Sequence, residues 1–116
     1  MKKLMHKDIS FYDPTSKYIF GSIKVIGKDE VFKNFVGNYS AIIDFKKSNL
    51  ESFFSSNTGV FKFNLSWKFK EADNKVVTIK DMPLVVVLTV ENNKVISHVD
   101  YGDYTYFVKQ IKKLDQ

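Results

Sequence analysis

Val60-Phe61-Lys62-Phe63-Asn64-Leu65-Ser66-Trp67-Lys68-Phe69 carries an aromatic residue or leucine at each odd position from 61 onward and a polar residue at each even position from 62 to 68. A period of two belongs to a strand whose alternate side chains stand on opposite faces, so the stretch reads as a β-strand with Phe61, Phe63, Leu65, Trp67 and Phe69 on one side. Working outward, Asn57-Thr58-Gly59 before it and Ala72-Asp73-Asn74 after it are turn sequences. Val76 to Val90 is the next long strand, Asn92-Asn93 turns the chain again, and Val95 to Tyr101 closes the meander. On the other side, Ile42 to Phe54 is compatible with a further strand. Pro83 cannot donate a ladder hydrogen bond and is expected at an edge or at a bulge that bends the sheet.

Towards the N-terminus, Ile9 and Phe11 alternate with Ser10 and Tyr12 in a short strand stopped by Asp13-Pro14 and a polar loop through Gly21, and Ser22 to Gly27 reads as a second extended piece. Val31, Phe32, Phe35, Val36 and Tyr39 recur at helical spacing, with Asp29 and Glu30 in the first turn where the macrodipole favours carboxylates. This predicts a helix from Lys28 to about Tyr39, weakened at Gly37. Tyr104 to about Leu114 reads as a short closing helix. A strand, a helix and four long antiparallel strands make an α+β pattern in which a curved sheet wraps one or two helices. Such a cone encloses a pocket wherever its inward side chains do not fill it.

With 116 residues, 44% hydrophobic and 27% charged, and no repeat or linker, residues 1–116 form one packed domain. The absence of cysteine excludes disulfides, thiolate zinc sites and thiol chemistry but leaves the compartment open, with the cytoplasm as the default. Met1-Lys2-Lys3-Leu4 starts like the basic region of a secretory signal, yet Lys7 and Asp8 interrupt any apolar run, so no signal peptide is expected. The longest apolar run, Met82 to Leu88, is far short of the ~20 residues that cross a bilayer, and no membrane partner is expected. The formal charge of +5 would raise nucleic acid as a partner, but all 18 basic residues are lysine and they are scattered. A chain without the guanidinium fork lacks the usual device for bidentate reading of guanine or phosphate, so nucleic acid is not expected either.

Three ionisable residues are candidates for chemistry: Asp13, His98 and Asp100. By strict alternation Ile96, His98 and Asp100 share one face of the last strand, and Val95, Ser97, Val99 and Tyr101 the other. If the first face is inward, an imidazole and a carboxylate share a low-dielectric cavity, the setting in which general acids and bases are made. If the valines are inward, the two are ordinary solvated residues; alternation alone leaves both open. Asp13 before Pro14 has the composition of a turn whose carboxylate accepts backbone hydrogen bonds. Phe11, Phe32, Phe35, Phe61, Phe63, Trp67 and Ile96 are the candidate pocket lining, with plain core packing as the competing use of Phe61, Phe63 and Trp67. His6 and His98 stand on distant segments without metal-ligand spacing, and neither a glycine-rich phosphate loop nor a nucleophile elbow is present. Neither a metal nor a cofactor is expected.

Ile9-Ser10-Phe11-Tyr12-Asp13-Pro14, then Gly27-Lys28-Asp29-Glu30-Val31-Phe32-Lys33-Asn34-Phe35, and finally Lys94-Val95-Ile96-Ser97-His98-Val99-Asp100-Tyr101 with Asp103, resemble in order and spacing the SnoaL-like branch of the NTF2-like superfamily, alongside ketosteroid isomerases. The resemblance runs from about residue 6 to residue 114. It implies an NTF2-like cone, a curved antiparallel sheet wrapped around helices with an internal pocket, and often a homodimer formed through the outer sheet face. It places Asp13 where the isomerases' Asp-Pro general base lies, and His98, Asp100 and Gly102 on the pocket-facing register. Elsewhere the chain departs from the pattern. Val86 stands where the oxyanion carboxylic acid is found, and the tyrosine donor belongs to an N-terminal helix that is short or missing here. The related epoxide hydrolases need an arginine, which this chain lacks.

Two functions follow as expectations. The first is a small-molecule pocket enzyme, an isomerase or cyclase, moving a proton on an apolar carbonyl compound without a cofactor. Asp13 or Asp100 would be its base, and His98 the proton donor or orienting group. The second is a non-catalytic ligand-binding or dimerisation module, since fold does not fix chemistry.

Overall fold

The computed structural model describes residues 2–18, 21–39, 42–71 and 73–114. Its strands are β1 (Met5–Asp13), β2 (Ile23–Ile26), β3 (Ile43–Ser55), β4 (Thr58–Lys70), β5 (Val76–Glu91) and β6 (Lys94–Gly102), and its helices are α1 (Lys28–Tyr39) and α2 (Tyr104–Leu114). Short 3-10 turns cover Lys2–Leu4 and Thr15–Tyr18. The strands form one six-stranded sheet in the order β2-β1-β6-β5-β4-β3. All neighbours are antiparallel except β1 and β6, which run parallel. This refines the all-antiparallel expectation: the first strand returns beside the last, and a parallel pair needs a long connection, here the chain from β2 to β5.

Local sequence explains most boundaries. Gly27, with φ 102°, turns β2 into α1, donating its N–H to Ile9 and accepting the Val31 N–H, a left-handed conformation that glycine adopts without steric cost. Asn92 and Asn93 both have positive φ, the requirement of the two-residue hairpin turn that follows the twist of its strands. The turn expected at Asn57-Thr58-Gly59 lies one residue earlier, at Ser56-Asn57, and Thr58 and Gly59 already belong to β4. The expected turn at Ala72-Asp73-Asn74 is seen at Asp73 and Asn74, Ala72 lying outside the described residues; the Asp73 carboxylate accepts the Lys75 N–H and Asn74 has φ 65°.

Pro83 sits in β5, an inner strand, rather than at an edge. A bulge lies just before it, where Leu65 pairs with Met82 but Trp67 with Ile79, and Asp81 takes φ 55°. The Pro83 carbonyl accepts the Asp103 N–H. Since the N–H and C=O of an antiparallel strand residue point to the same neighbour, its missing donor faces the end of β6 and the ladder to β4 is not interrupted. Helix α2 satisfies the backbone freed by the bulge: Lys80 N–H donates to Gln110 Oε1, and the Lys80 carbonyl accepts from Gln110 Nε2 and the Tyr106 hydroxyl. An unpaired backbone group is costly, so these side chains fix where the sheet bends.

Paired residues share a face. Phe11 pairs with His98 and His98 with Leu88, and an even step along β5 separates Leu88 from Met82. Helix α1 packs Val31 and Phe35 on Met5, Ile9 and Phe11, and α2 packs Tyr104, Tyr106, Phe107 and Ile111 on Val77, Ile79 and Met82. Both helices therefore cover one face of the sheet, and among the described residues no element covers the other. Trp67 stacks on Phe107 with ring centroids 5.9 Å apart, which places it in the α2 core.

Candidate functional site

The helix-covered face holds a cavity of about 570 Å³ lined by Leu4, Met5, Ile9, Phe35, Ile42, Phe45, Leu88, Val95 and His98. Leu4 and Phe45 are 63% and 49% exposed and stand at its mouth. His98 is the single polar side chain among the described residues of that lining. The size is that of a site for a small organic ligand, and apolar walls with one polar group give such a site its orientation.

A second bulge brings this lining together. Ser97 pairs with Thr89 but Val95 with Val90, so Ile96 is the extra residue in β6. Thr89 and Val90 point to opposite faces, hence so do Ser97 and Val95, and Val95 joins His98 on the inner face. The expected grouping of Ile96 with His98 is corrected accordingly: Val95 lines the cavity where strict alternation put Ile96. Of the other nominated positions, Phe35 lines the cavity, whereas Phe11 is buried beneath it, its ring 5.0 Å from that of Phe35 and 5.1 Å from that of His98. Phe32 packs on the α1 core, with the Lys2 ammonium 5.3 Å from its ring centroid. Phe61 meets Phe54 edge-to-face, Phe63 lies under the Lys47 ammonium, and Trp67 belongs to α2. None of these last four lines the cavity.

His98 and Asp100 are brought together. His98 Nε2 lies 2.6 Å from Asp100 Oδ1, with the two side chains 22% and 10% exposed. An ionised carboxylate only accepts, so Nε2–H donates and the neutral ring keeps its proton there, leaving Nδ1 as an acceptor. His98 has no other hydrogen bond among the described residues, and no described side-chain nitrogen or oxygen is both buried and unpartnered. With no partner of its own among the described residues, Nδ1 is the ring nitrogen left to accept a hydrogen bond. Phe11 and Phe35 pack against the ring and against each other, with centroids 5.1, 5.3 and 5.0 Å apart, so the three rings form a triangle.

Asp13 is on the same face, one residue beyond Tyr12, which pairs with Val99. It is held apart from the dyad by its own partners. Oδ1 accepts from Thr15 N–H at 3.0 Å, the Thr15 hydroxyl at 2.6 Å and Ser16 N–H at 3.0 Å, and Oδ2 accepts from the Tyr104 hydroxyl at 2.6 Å. Thr15 Oγ1 in turn accepts the Gly102 N–H, and the Ser16 hydroxyl, 2.8 Å from the carbonyl oxygens of both Asp13 and Gly21, shares its one proton between them. The carboxylate thus ties together the end of β1, the turn after it, the end of β6 and the start of α2. It is only 2% exposed and does not line the cavity.

The sequence reading missed Leu4, Met5, Ile9, Ile42, Phe45, Leu88 and Val95 as lining, and Tyr104 as the partner of Asp13. Ile9 could have been found, since it shares the alternation of Phe11; Tyr104 carried no such signal. No cluster of three or more His, Asp or Glu side chains suited to a metal ion occurs among the described residues. No helix among them is long and apolar enough to cross a membrane.

No protein-family model matches the chain, and no curated protein does. Solved structures do. A candidate SnoaL-like polyketide cyclase from Shewanella putrefaciens superposes with a TM-score of 0.82 at 18% identity, covering 97% of this chain and 82% of that one. Its counterpart from Shewanella denitrificans gives 0.82 at 20% identity with the same coverage. A protein of ketosteroid isomerase-like fold from Catenulispora acidiphila, in complex with trimethylamine, gives 0.73 at 12% identity over 94% of this chain and 77% of that one. The strand order, the helices on one face and these likenesses agree: the chain has the α+β cone fold that SnoaL-like polyketide cyclases share with ketosteroid isomerase-like and other NTF2-like proteins.

Proposed function

We propose that the cavity binds an apolar small molecule and that His98, anchored by Asp100, moves a proton on it without a metal or organic cofactor, as an isomerase or cyclase does. One observation carries the reading: an imidazole in the wall of a cavity of about 570 Å³, otherwise apolar among its described lining residues, and paired at 2.6 Å with the Asp100 carboxylate outside that lining. His98 Nδ1 takes the proton from a carbon next to a carbonyl, the Asp100 carboxylate stabilises the imidazolium that forms, and the proton returns to a different atom. The roles differ from those first expected. Asp100 spends its oxygen on His98 and orients it, while Asp13, with four donors upon it, is structural.

A base of this kind contributes about 10²–10⁴-fold. The test is exchange of the α-hydrogens of 2-tetralone in deuterated water, followed by proton NMR. The wild type should accelerate exchange by about 10²-fold or more relative to His98→Phe, whose ring preserves the packing on Phe11 and Phe35. Equal rates in the two proteins would overturn the assignment.

A second reading, a non-catalytic binding or dimerisation module, is favoured by the capping of Asp13 and by the uncovered face of the sheet. There Tyr12, Val99, Val87, Val60 and Phe53 pair in direct register across five strands, a largely apolar row whose ends, Tyr12 and Phe53, are exposed and whose valines are half-buried. Such a row fits a second copy of the chain, so that the cytoplasmic working form would be a homodimer with outer faces apposed.

A further inference from the structure

Resting on the dyad as read above, we infer that the cavity prefers ligands that carry one hydrogen-bond donor: it binds an apolar hydroxyl compound, a phenol or the enol of the carbonyl substrate proposed above, more tightly than the carbonyl form of that substrate. Asp100 holds the imidazole proton on Nε2 at 2.6 Å, so the neutral ring presents to a ligand only an acceptor, Nδ1. The remaining described lining side chains, Leu4, Met5, Ile9, Phe35, Ile42, Phe45, Leu88 and Val95, neither donate nor accept. A carbonyl oxygen entering this cavity meets no side-chain donor in that lining and gives up its water. A hydroxyl in the same place keeps one hydrogen bond, to Nδ1. Burying a polar group without a partner is penalised, and the penalty falls on one of the two forms only. Such selection is a difference between affinities, enforced by an unpaired group in the rejected ligand.

Three probes of nearly equal size separate these cases: 2-naphthol, which donates; 2-methoxynaphthalene, in which the donor is capped; and 2-acetylnaphthalene, which only accepts. Calorimetric titration of the wild-type protein should give 2-naphthol an affinity roughly tenfold above the other two, the value of one net hydrogen bond. His98→Phe should bring all three within about threefold of one another while keeping the affinity for 2-methoxynaphthalene, because the apolar walls are unchanged. His98→Gln, whose amide donates as well as accepts, guards against misfolding of the first variant and should raise 2-acetylnaphthalene to within about threefold of 2-naphthol. The inference is overturned if the wild type prefers 2-acetylnaphthalene, if 2-naphthol keeps its advantage in His98→Phe, or if none of the three binds. The proton-transfer reading fails separately: selective binding without His98-dependent tetralone exchange would leave the ligand class standing and remove the catalysis, and exchange without selectivity would do the reverse.

Discussion

Replacing Asp13 with asparagine distinguishes a structural carboxylate from a catalytic one. In the folded protein Oδ1 accepts three hydrogen bonds, from Thr15 N–H, the Thr15 hydroxyl and Ser16 N–H, and Oδ2 accepts one from Tyr104. The asparagine carbonyl can keep the first three, but as bonds to a neutral acceptor, and those are about half as strong as bonds to a carboxylate. The Tyr104 hydroxyl, now facing an amide N–H₂, must reverse and accept. Losing about 1 kcal/mol at each of the three charge-assisted bonds, with some relaxation, gives a destabilisation of roughly 2–3 kcal/mol. At about 4 °C per kcal/mol for a domain of this size, Tm should fall by roughly 8–12 °C. The assay is thermal unfolding by circular dichroism, paired with tetralone exchange and 2-naphthol binding well below the new Tm. Both activities should stay at wild-type levels, because Asp13 does not touch the cavity. A variant with unchanged Tm and exchange reduced about 10²-fold would refute the reasoning and restore Asp13 as the base.

Leu88→Trp should fill part of the cavity and weaken 2-methoxynaphthalene binding at least about tenfold with no loss of secondary structure, since the added ring enters open volume rather than packed core; calorimetry and circular dichroism check it. Val87→Lys, at the centre of the apolar row on the uncovered face, should convert a homodimer to monomer in sedimentation velocity while leaving naphthol binding intact. The Lys2 ammonium, hydrogen-bonded to Asp29 at 2.9 Å, holds that carboxyl below the usual carboxylate range. Its contribution to stability is present above the ordinary carboxylate pKa and is lost as pH falls through the lowered one. With both side chains in solvent, Asp29→Asn should leave Tm at pH 7 indistinguishable from wild type.

How much was legible follows from the range of each interaction. The Phe61 to Phe69 alternation, the Asn92-Asn93 turn and the Val31/Phe35 spacing are local, and each appears as β4, a positive-φ turn and the buried face of α1. Alternation also tells which side chains share a face, but not which part of that face stays open. Phe61, Phe63 and Trp67 were therefore nominated for a cavity that lies nearer β1 and β6. The bulge at Ile96 was hidden because it is set by the register against Thr89 and Val90 on β5, among β-branched neighbours that favour neither pairing. Asp13-Pro14 contains a turn signal and an isomerase-like signal at once. The choice between them is made by Tyr104, which is 91 residues away and cannot be read locally.

The central claim is that Asp100 pins the His98 proton on Nε2 and leaves Nδ1 open to the cavity. Long-range proton–nitrogen correlation NMR of the ¹⁵N-labelled protein, recorded where the ring is neutral and repeated with 2-naphthol, reads this directly. The account predicts a single Nε2–H tautomer whose Nδ1 resonance moves on adding the naphthol. A proton on Nδ1, or an averaged pattern indifferent to the ligand, would contradict it.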